Sequence, residues 1–153
     1  MANARYKRGK VYTVRSHKTP LIYVGSTIEK YLSSRLSKHK NCFKRYKNNK
    51  FHYLAVFDIF ELDRDCYIEL YEDYPCDSKE QLERREGQVI RELDCVNKRI
   101  AGRTDKEYRE DNKEQLAAKK KEKFECECGS TLRRSAKERH FRTKKHQSFI
   151  NNQ

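Results

Sequence analysis

The chain has 153 residues, 35% apolar and 39% charged, which suits one ordinary domain, or a small domain with a compact satellite, and excludes a large core. Seventeen Phe and Tyr residues are too many for a disordered chain, so a small aromatic-rich core is expected. The net charge of +13 sits unevenly, with fourteen Lys or Arg against the single acid Glu29 in residues 1–50 and eight bases against thirteen acids in residues 51–104, a pattern that points to nucleic acid as partner.

The first residues, Met1 to Arg8, lack the apolar stretch of a signal peptide, and no later run approaches membrane-spanning length. Without a lipidation signal or a lipid-facing helix, a membrane is not the expected partner. Cys42, Cys66, Cys76 and Cys95 are scattered without paired spacing, which fits free thiols in a reducing intracellular compartment, cytoplasm or nucleus.

Lys10 to Val14 and Leu21 to Gly25 read as two strands of a hairpin, with Arg15 to Pro20 as a six-residue loop. Setting Val14 opposite Leu21 also sets Tyr12 opposite Tyr23 on one sheet face. On the hairpin alone, cross-strand packing accounts for both tyrosines.

Gly25 and Ser26 read as a turn ahead of a helix over Thr27 to Lys40, where Leu32, Leu36 and His39 fall at helical spacing. Phe51 to Leu62 is ambiguous and leans to helix through Tyr53, Leu54, Phe57, Phe60 and Glu61. Cys66 to Tyr71 alternates as a strand and is ended by Asp73-Tyr74-Pro75. Asp77 or Ser78 then caps a helix to about Leu93. Thr104 to Lys123 is nearly all charge and reads as a solvated helix or a flexible tether.

In the helix from Ser78 to Leu93, Glu86 lies four after Leu82, three before Val89 and four before Ile90, so it is predicted to point inward. A carboxylate there must be paired with an arginine or bind a metal. Arg35 and His39, four apart, share one side of the earlier helix, a pairing that suits a phosphodiester because the guanidinium neutralises developing charge and the imidazole moves or orients a proton. Asn97 follows the Glu86 helix, where an amide can hold a loop or a phosphate.

Together these residues resemble the GIY-YIG nuclease superfamily. The first signature stands as Lys10-Val11-Tyr12, which lacks the family's glycine at its first place though Gly9 precedes it, and the second as Tyr23-Val24-Gly25. Arg35 matches the helix arginine, His39 the position four later, Glu86 the metal-binding glutamate and Asn97 the downstream asparagine. The resemblance spans about residues 9 to 104, and the stretch from Arg85 to Thr104 looks like members encoded by large DNA viruses. It implies an α+β fold, a three-stranded antiparallel sheet flanked by helices. It also implies DNA hydrolysis with one Mg²⁺ or Mn²⁺ held by Glu86 as sole protein ligand. Tyr12, with Tyr23, would deprotonate the attacking water, its pKa lowered by Arg35 and the metal, while Arg35 stabilises the pentacovalent charge and His39 assists at Tyr12 or the leaving group.

Cys126 and Cys128, then His140 and His146, give C-x-C, an eleven-residue gap and H-x5-H. Two thiolates and two imidazoles suit tetrahedral Zn²⁺, and a unit of about thirty residues has too little core to fold otherwise. The unit looks like a small Cys2His2 finger with long histidine spacing. An S-x-x-E capping box from Ser135 to Glu138 is expected to start the His140 helix, whose last turn must distort to bring His146 round. The other reading is an unmetallated basic tail.

The chain thus reads as a catalytic domain over 1–104, a charged linker over 105–123 and a finger over 124–153. Its nucleic-acid contacts are expected at Lys10, Lys38, Lys40, Arg133, Arg134, Lys144 and Lys145. The expected activity is endonucleolytic cleavage of DNA, with RNA also considered, by a monomer that nicks or a transient dimer that cuts both strands. A non-catalytic nucleic-acid binder is the principal rival, and a scaffold that recruits protein through the charged segment a third.

Overall fold

The computed structural model describes residues 4–151. The chain divides into two compact units, residues 1–103 and 104–153, so the charged segment expected as a linker belongs with the C-terminal residues. The first unit is α+β, as the sequence implies. A 3-10 turn at Ala4–Arg8 leads into β1 (Lys10–Ser16) and β2 (Tyr23–Thr27), followed by α1 (Leu32–Lys47), α2 (Phe57–Leu62), β3 (Cys66–Asp73) and α3 (Lys79–Glu92). The strands form an antiparallel sheet in the order β2-β1-β3.

The hairpin register differs from the expected one by two residues. Val14 pairs with Tyr23 and Tyr12 with Gly25, so the tyrosines share a face without being opposite. A missing donor and two contacts explain the shift. Pro20 has no N–H to give a ladder, the Ile22 carbonyl accepts from the Val96 amide at 2.8 Å, and Ser16 is drawn into β1 by its hydroxyl bond to Asp63 at 2.5 Å. Gly25 and Ser26, expected in a turn, therefore lie within β2.

With Tyr23–Thr27 committed to a strand, α1 begins at Leu32 rather than Thr27. It runs on past Lys40 because Phe43 and Tyr46 continue the stripe of Leu32, Leu36 and His39 at three- and four-residue spacing. Asn49, at φ 56°, turns the chain out of it. The aromatic run expected as helix from Phe51 is helical only over α2, with Phe57, Ile59 and Phe60 buried.

Two clusters cover the sheet faces. Tyr12, Val14, Phe43, Val56, Phe57, Ile59 and Phe60 pack beneath α1 and α2, while Val11 and Val24 meet Val89 and Ile90 of α3. The Ser78 hydroxyl caps α3 by accepting from the Gln81 amide. Gly87 lets the Ile100–Ala101 backbone rest on this helix, since a Cβ there would stand 2.1 Å from the Ala101 carbonyl oxygen.

The second unit holds α4 (Asp105–Asp111), opened by a Thr104–Glu107 capping box, and α5 (Lys113–Lys121). The hairpin β4 (Lys123–Glu125) and β5 (Thr131–Arg133) follows, then α6 (Lys137–Phe141) and α7 (Lys144–Asn151). Ser135 does not cap α6. It lies in a 3-10 turn, and Ala136 occupies the cap position without a side-chain bond. Among the described residues no helix is long and apolar enough to cross a membrane.

Candidate active site and metal cluster

Tyr12 sits on the central strand with no solvent exposure. Its ring crosses the face of Gly25, where a Cβ would lie 2.5 Å from the phenolic oxygen, so this strand position admits only glycine without displacing the tyrosine. The hydroxyl lies 2.7 Å from His39 Nε2 and accepts from Arg35 Nε at 2.9 Å. Arginine can only donate, so the phenolic oxygen is the acceptor of the Arg35 bond, and it shares a second hydrogen bond with the His39 ring. Tyr23 meets the His39 ring edge-on at 5.6 Å between centroids.

Glu86, on α3, does turn inward and reaches β2, where its Oε2 accepts from the Ser26 hydroxyl at 2.5 Å. A cleft of about 320 Å³ collects Ser26, Arg35, Glu83 and Glu86, with Tyr6, Glu29 and Lys79 among its other walls. The structure thus brings Glu86 and Arg35 to one cleft, with Tyr12 and His39 behind Arg35.

The electrostatics run against one expectation. Burial pushes the Tyr12 phenol up to about 12, outweighing the lowering effect of Arg35, and burial likewise raises Tyr23. The resemblance implied a Tyr12 phenol lowered by Arg35 and a metal; against Arg35, desolvation of the anion prevails. Burial followed by Arg35 repulsion takes His39 down to about 3, so it is neutral and able to accept. Burial, and next to it the Glu83 charge, raise the Glu86 carboxyl, against the pull of Ser26 and Arg35.

Asn97 has a structural task. Its Oδ1 accepts from the Val24 amide at 2.9 Å and its Nδ2 donates to the Val24 carbonyl at 2.8 Å, closing the open edge of β2 as a neighbouring strand would. Sequence reasoning placed Ser26 in a turn and missed it as a site residue, since a serine three residues past Tyr23 carries no periodic signal.

Among the expected nucleic-acid contacts, Lys10 Nζ reaches the Arg8 and Glu29 carbonyls, Lys38 pairs with Glu29 and Arg134 pairs with Glu122 at 3.0 Å. Arg133, Lys144 and Lys145 are exposed. Lys40 lines a separate hollow of about 480 Å³ with Phe43, Lys44, Lys47, Asn48, Phe60 and Arg64.

In the second unit, the ligand atoms of Cys126, Cys128, His140 and His146 all lie within 4.8 Å of one another, a cluster that can hold a metal ion. Cys126 Sγ is 3.3 Å from His146 Nδ1 and Cys128 Sγ 3.2 Å from His140 Nε2. The single-residue cysteine spacing closes through a turn in which the Gly129 amide donates to the Cys126 carbonyl at 2.8 Å, with Gly129 at φ 75°. The wide histidine spacing is met by a break between α6 and α7, where the Thr143 hydroxyl bonds to the His140 carbonyl. The Ser130 hydroxyl, then His146, hold the Cys128 thiol down at about 5.

No family model, curated protein or solved structure matches the chain. The site's geometry therefore carries the functional argument.

Proposed function

We propose that the first unit is a metal-dependent endonuclease of the GIY-YIG kind, hydrolysing DNA phosphodiester bonds, and that the second is a zinc-binding finger that helps hold the nucleic acid. The observation that supports the first half is the meeting of Glu86 and Arg35, from α3 and α1, in one cleft beside the Tyr12–His39 pair.

The Glu86 carboxylate, held by the Ser26 hydroxyl, is a hard oxygen donor, which suits Mg²⁺ or Mn²⁺. Bound there, such an ion supplies charge neutralisation at a phosphate oxygen and a more acidic water. Arg35 offers a planar, permanently charged fork to the phosphate as negative charge builds up. Tyr12 accepts from Arg35 Nε and so holds the guanidinium from behind, while neutral His39 hydrogen-bonds the phenol and fixes the ring. In this reading the buried Tyr12 aims Arg35 rather than abstracting the proton of water. One such site per chain makes nicking the default and leaves double-strand cutting to a transient dimer.

For the second unit, Zn–S and Zn–N bonds of about 2.3 and 2.0 Å fit tetrahedral donors spaced as those of the cluster are. The seven Lys and Arg residues between Arg133 and Lys145 add phosphate affinity.

The test is cleavage of supercoiled plasmid, branched DNA and RNA in parallel, in Mg²⁺. Glu86→Ala is expected to lower nicking by at least about a hundredfold while DNA affinity stays within about threefold. Unchanged nicking by this variant would refute the assignment. The rival reading, a non-catalytic nucleic-acid binder, draws on the basic residues of the second unit, which do not depend on the cleft; it predicts tight binding without cleavage of any substrate.

A further inference from the structure

We propose that Ser26 is a positioning residue for Glu86, its hydroxyl holding the carboxylate in the orientation that meets a divalent cation. The inference rests on the nuclease reading and adds a residue outside the tyrosine, arginine and glutamate set that suggested it.

The two side chains are 60 positions apart in sequence and meet at 2.5 Å across β2 and α3. Both line the cleft rather than the core. An ionised carboxylate only accepts, so the serine is the donor, and a charge-assisted O–H···O bond of this length is among the stronger kinds. A carboxylate has about four lone-pair sites, so one donor on Oε2 leaves room for a cation while restricting how the group can turn.

The donor is itself well held. Ser26 pairs with Val11 of the central strand, and two residues earlier Asn97 clasps the Val24 amide and carbonyl. Glu86 stands in the middle of a capped helix whose neighbouring residues Leu82, Val89 and Ile90 are buried. With both backbones fixed, the hydroxyl governs the remaining freedom of a side chain with three torsions. Partners of this kind, which orient a metal ligand without touching the metal, typically change metal affinity by about 10–100-fold when removed.

The experiment is a Mn²⁺ titration of the full chain followed by electron paramagnetic resonance, without nucleic acid and with the Cys/His cluster first loaded with Zn²⁺. The wild type is expected to bind one Mn²⁺ that Glu86→Ala loses. Ser26→Ala is expected to weaken that ion by about tenfold, with an unchanged melting temperature, and Ser26→Thr to restore it. If Ser26→Ala melts early, Ser26→Cys keeps the volume with a poorer donor and is expected to show the same weakening. Wild-type affinity in a folded Ser26→Ala or Ser26→Cys chain would overturn the role of Ser26 and leave the nuclease reading standing. Absence of any Glu86-dependent Mn²⁺ in the wild type would overturn both.

Discussion

Tyr12 carries most of what single residues contribute here, and its surroundings decide its chemistry. A phenol with no solvent exposure, bonded to a guanidinium and an imidazole, is costly to ionise, so desolvation outweighs the lowering that the arginine brings. A second buried polar residue, Asp63, behaves in the opposite way. Its carboxyl is held at about 2, against an ordinary 3.8, first by the Ser16 hydroxyl, then by the Asp65 amide, with Lys18 adding to both. Because the folded pKa lies below the unfolded one, the native state binds fewer protons between about 4 and about 2. The stability this group contributes is complete above about pH 4 and disappears as the pH falls to about 2. Thermal melts of wild type and Asp63→Asn are therefore expected to differ at pH 7 and converge near pH 2; a constant gap would show that the carboxylate does not tie the hairpin to the α2–β3 turn.

At the scale of elements, β2 is the part on which the candidate site depends. It presents Gly25 to Tyr12 and Ser26 to Glu86, yet it is only five residues long and lies at the edge of the sheet. Its outer side is closed by the Asn97 amide, which makes both bonds to Val24. Asn97→Ala leaves a backbone donor and acceptor without those partners, at an expected cost of about 1–3 kcal/mol measured by urea denaturation. Nicking by the folded variant is expected to fall by a smaller factor than in Glu86→Ala, since the strand loosens while the ligand stays. Equal and complete loss in the two variants would return Asn97 to a direct catalytic role. The basic stripe of α1 belongs to the same scale, because a 16-residue helix without one acid carries cations to the cleft through Arg35 and to a second hollow through Lys40, Lys44 and Lys47.

For the molecule as a whole, the two units differ in how much apolar surface they bury. The first has buried clusters on both faces of a three-stranded sheet. The second, among its described residues, buries only Cys126 and His146, both members of the four-ligand cluster, and its rings pack as the edge-on pair Phe124 and Phe141 at 6.1 Å, with Lys137 over both and Phe141 also against His140 and His146. A unit with so little apolar burial is expected to gain its stability by binding a metal at this cluster. One Zn²⁺ per chain is expected after purification. Its removal by a chelator, or Cys126→Ser, is expected to abolish hydrogen-exchange protection over 124–150 while protection in β1 and α3 persists. Protection retained throughout the second unit without zinc would favour the basic-tail reading.

Much of this was legible in the chain itself. The alternation in β1, the cap at Ser78, the inward placement of Glu86 and the thiol and imidazole spacing are local patterns, each written within one or two elements, and local patterns survive folding because propensity and burial act on the same residues. What depended on distant partners was not legible. The two-residue shift of the hairpin came from Asp63 and Val96, the later start of α1 from strand pairing of residues that also suit a turn, and the raised phenol pKa from walls supplied by other elements. Ser26 became a partner of Glu86 only when a strand and a helix 60 residues apart were laid against each other. Composition and periodicity fix which face a residue takes; the close packing of those faces decides which polar atoms meet, and so what chemistry they can do.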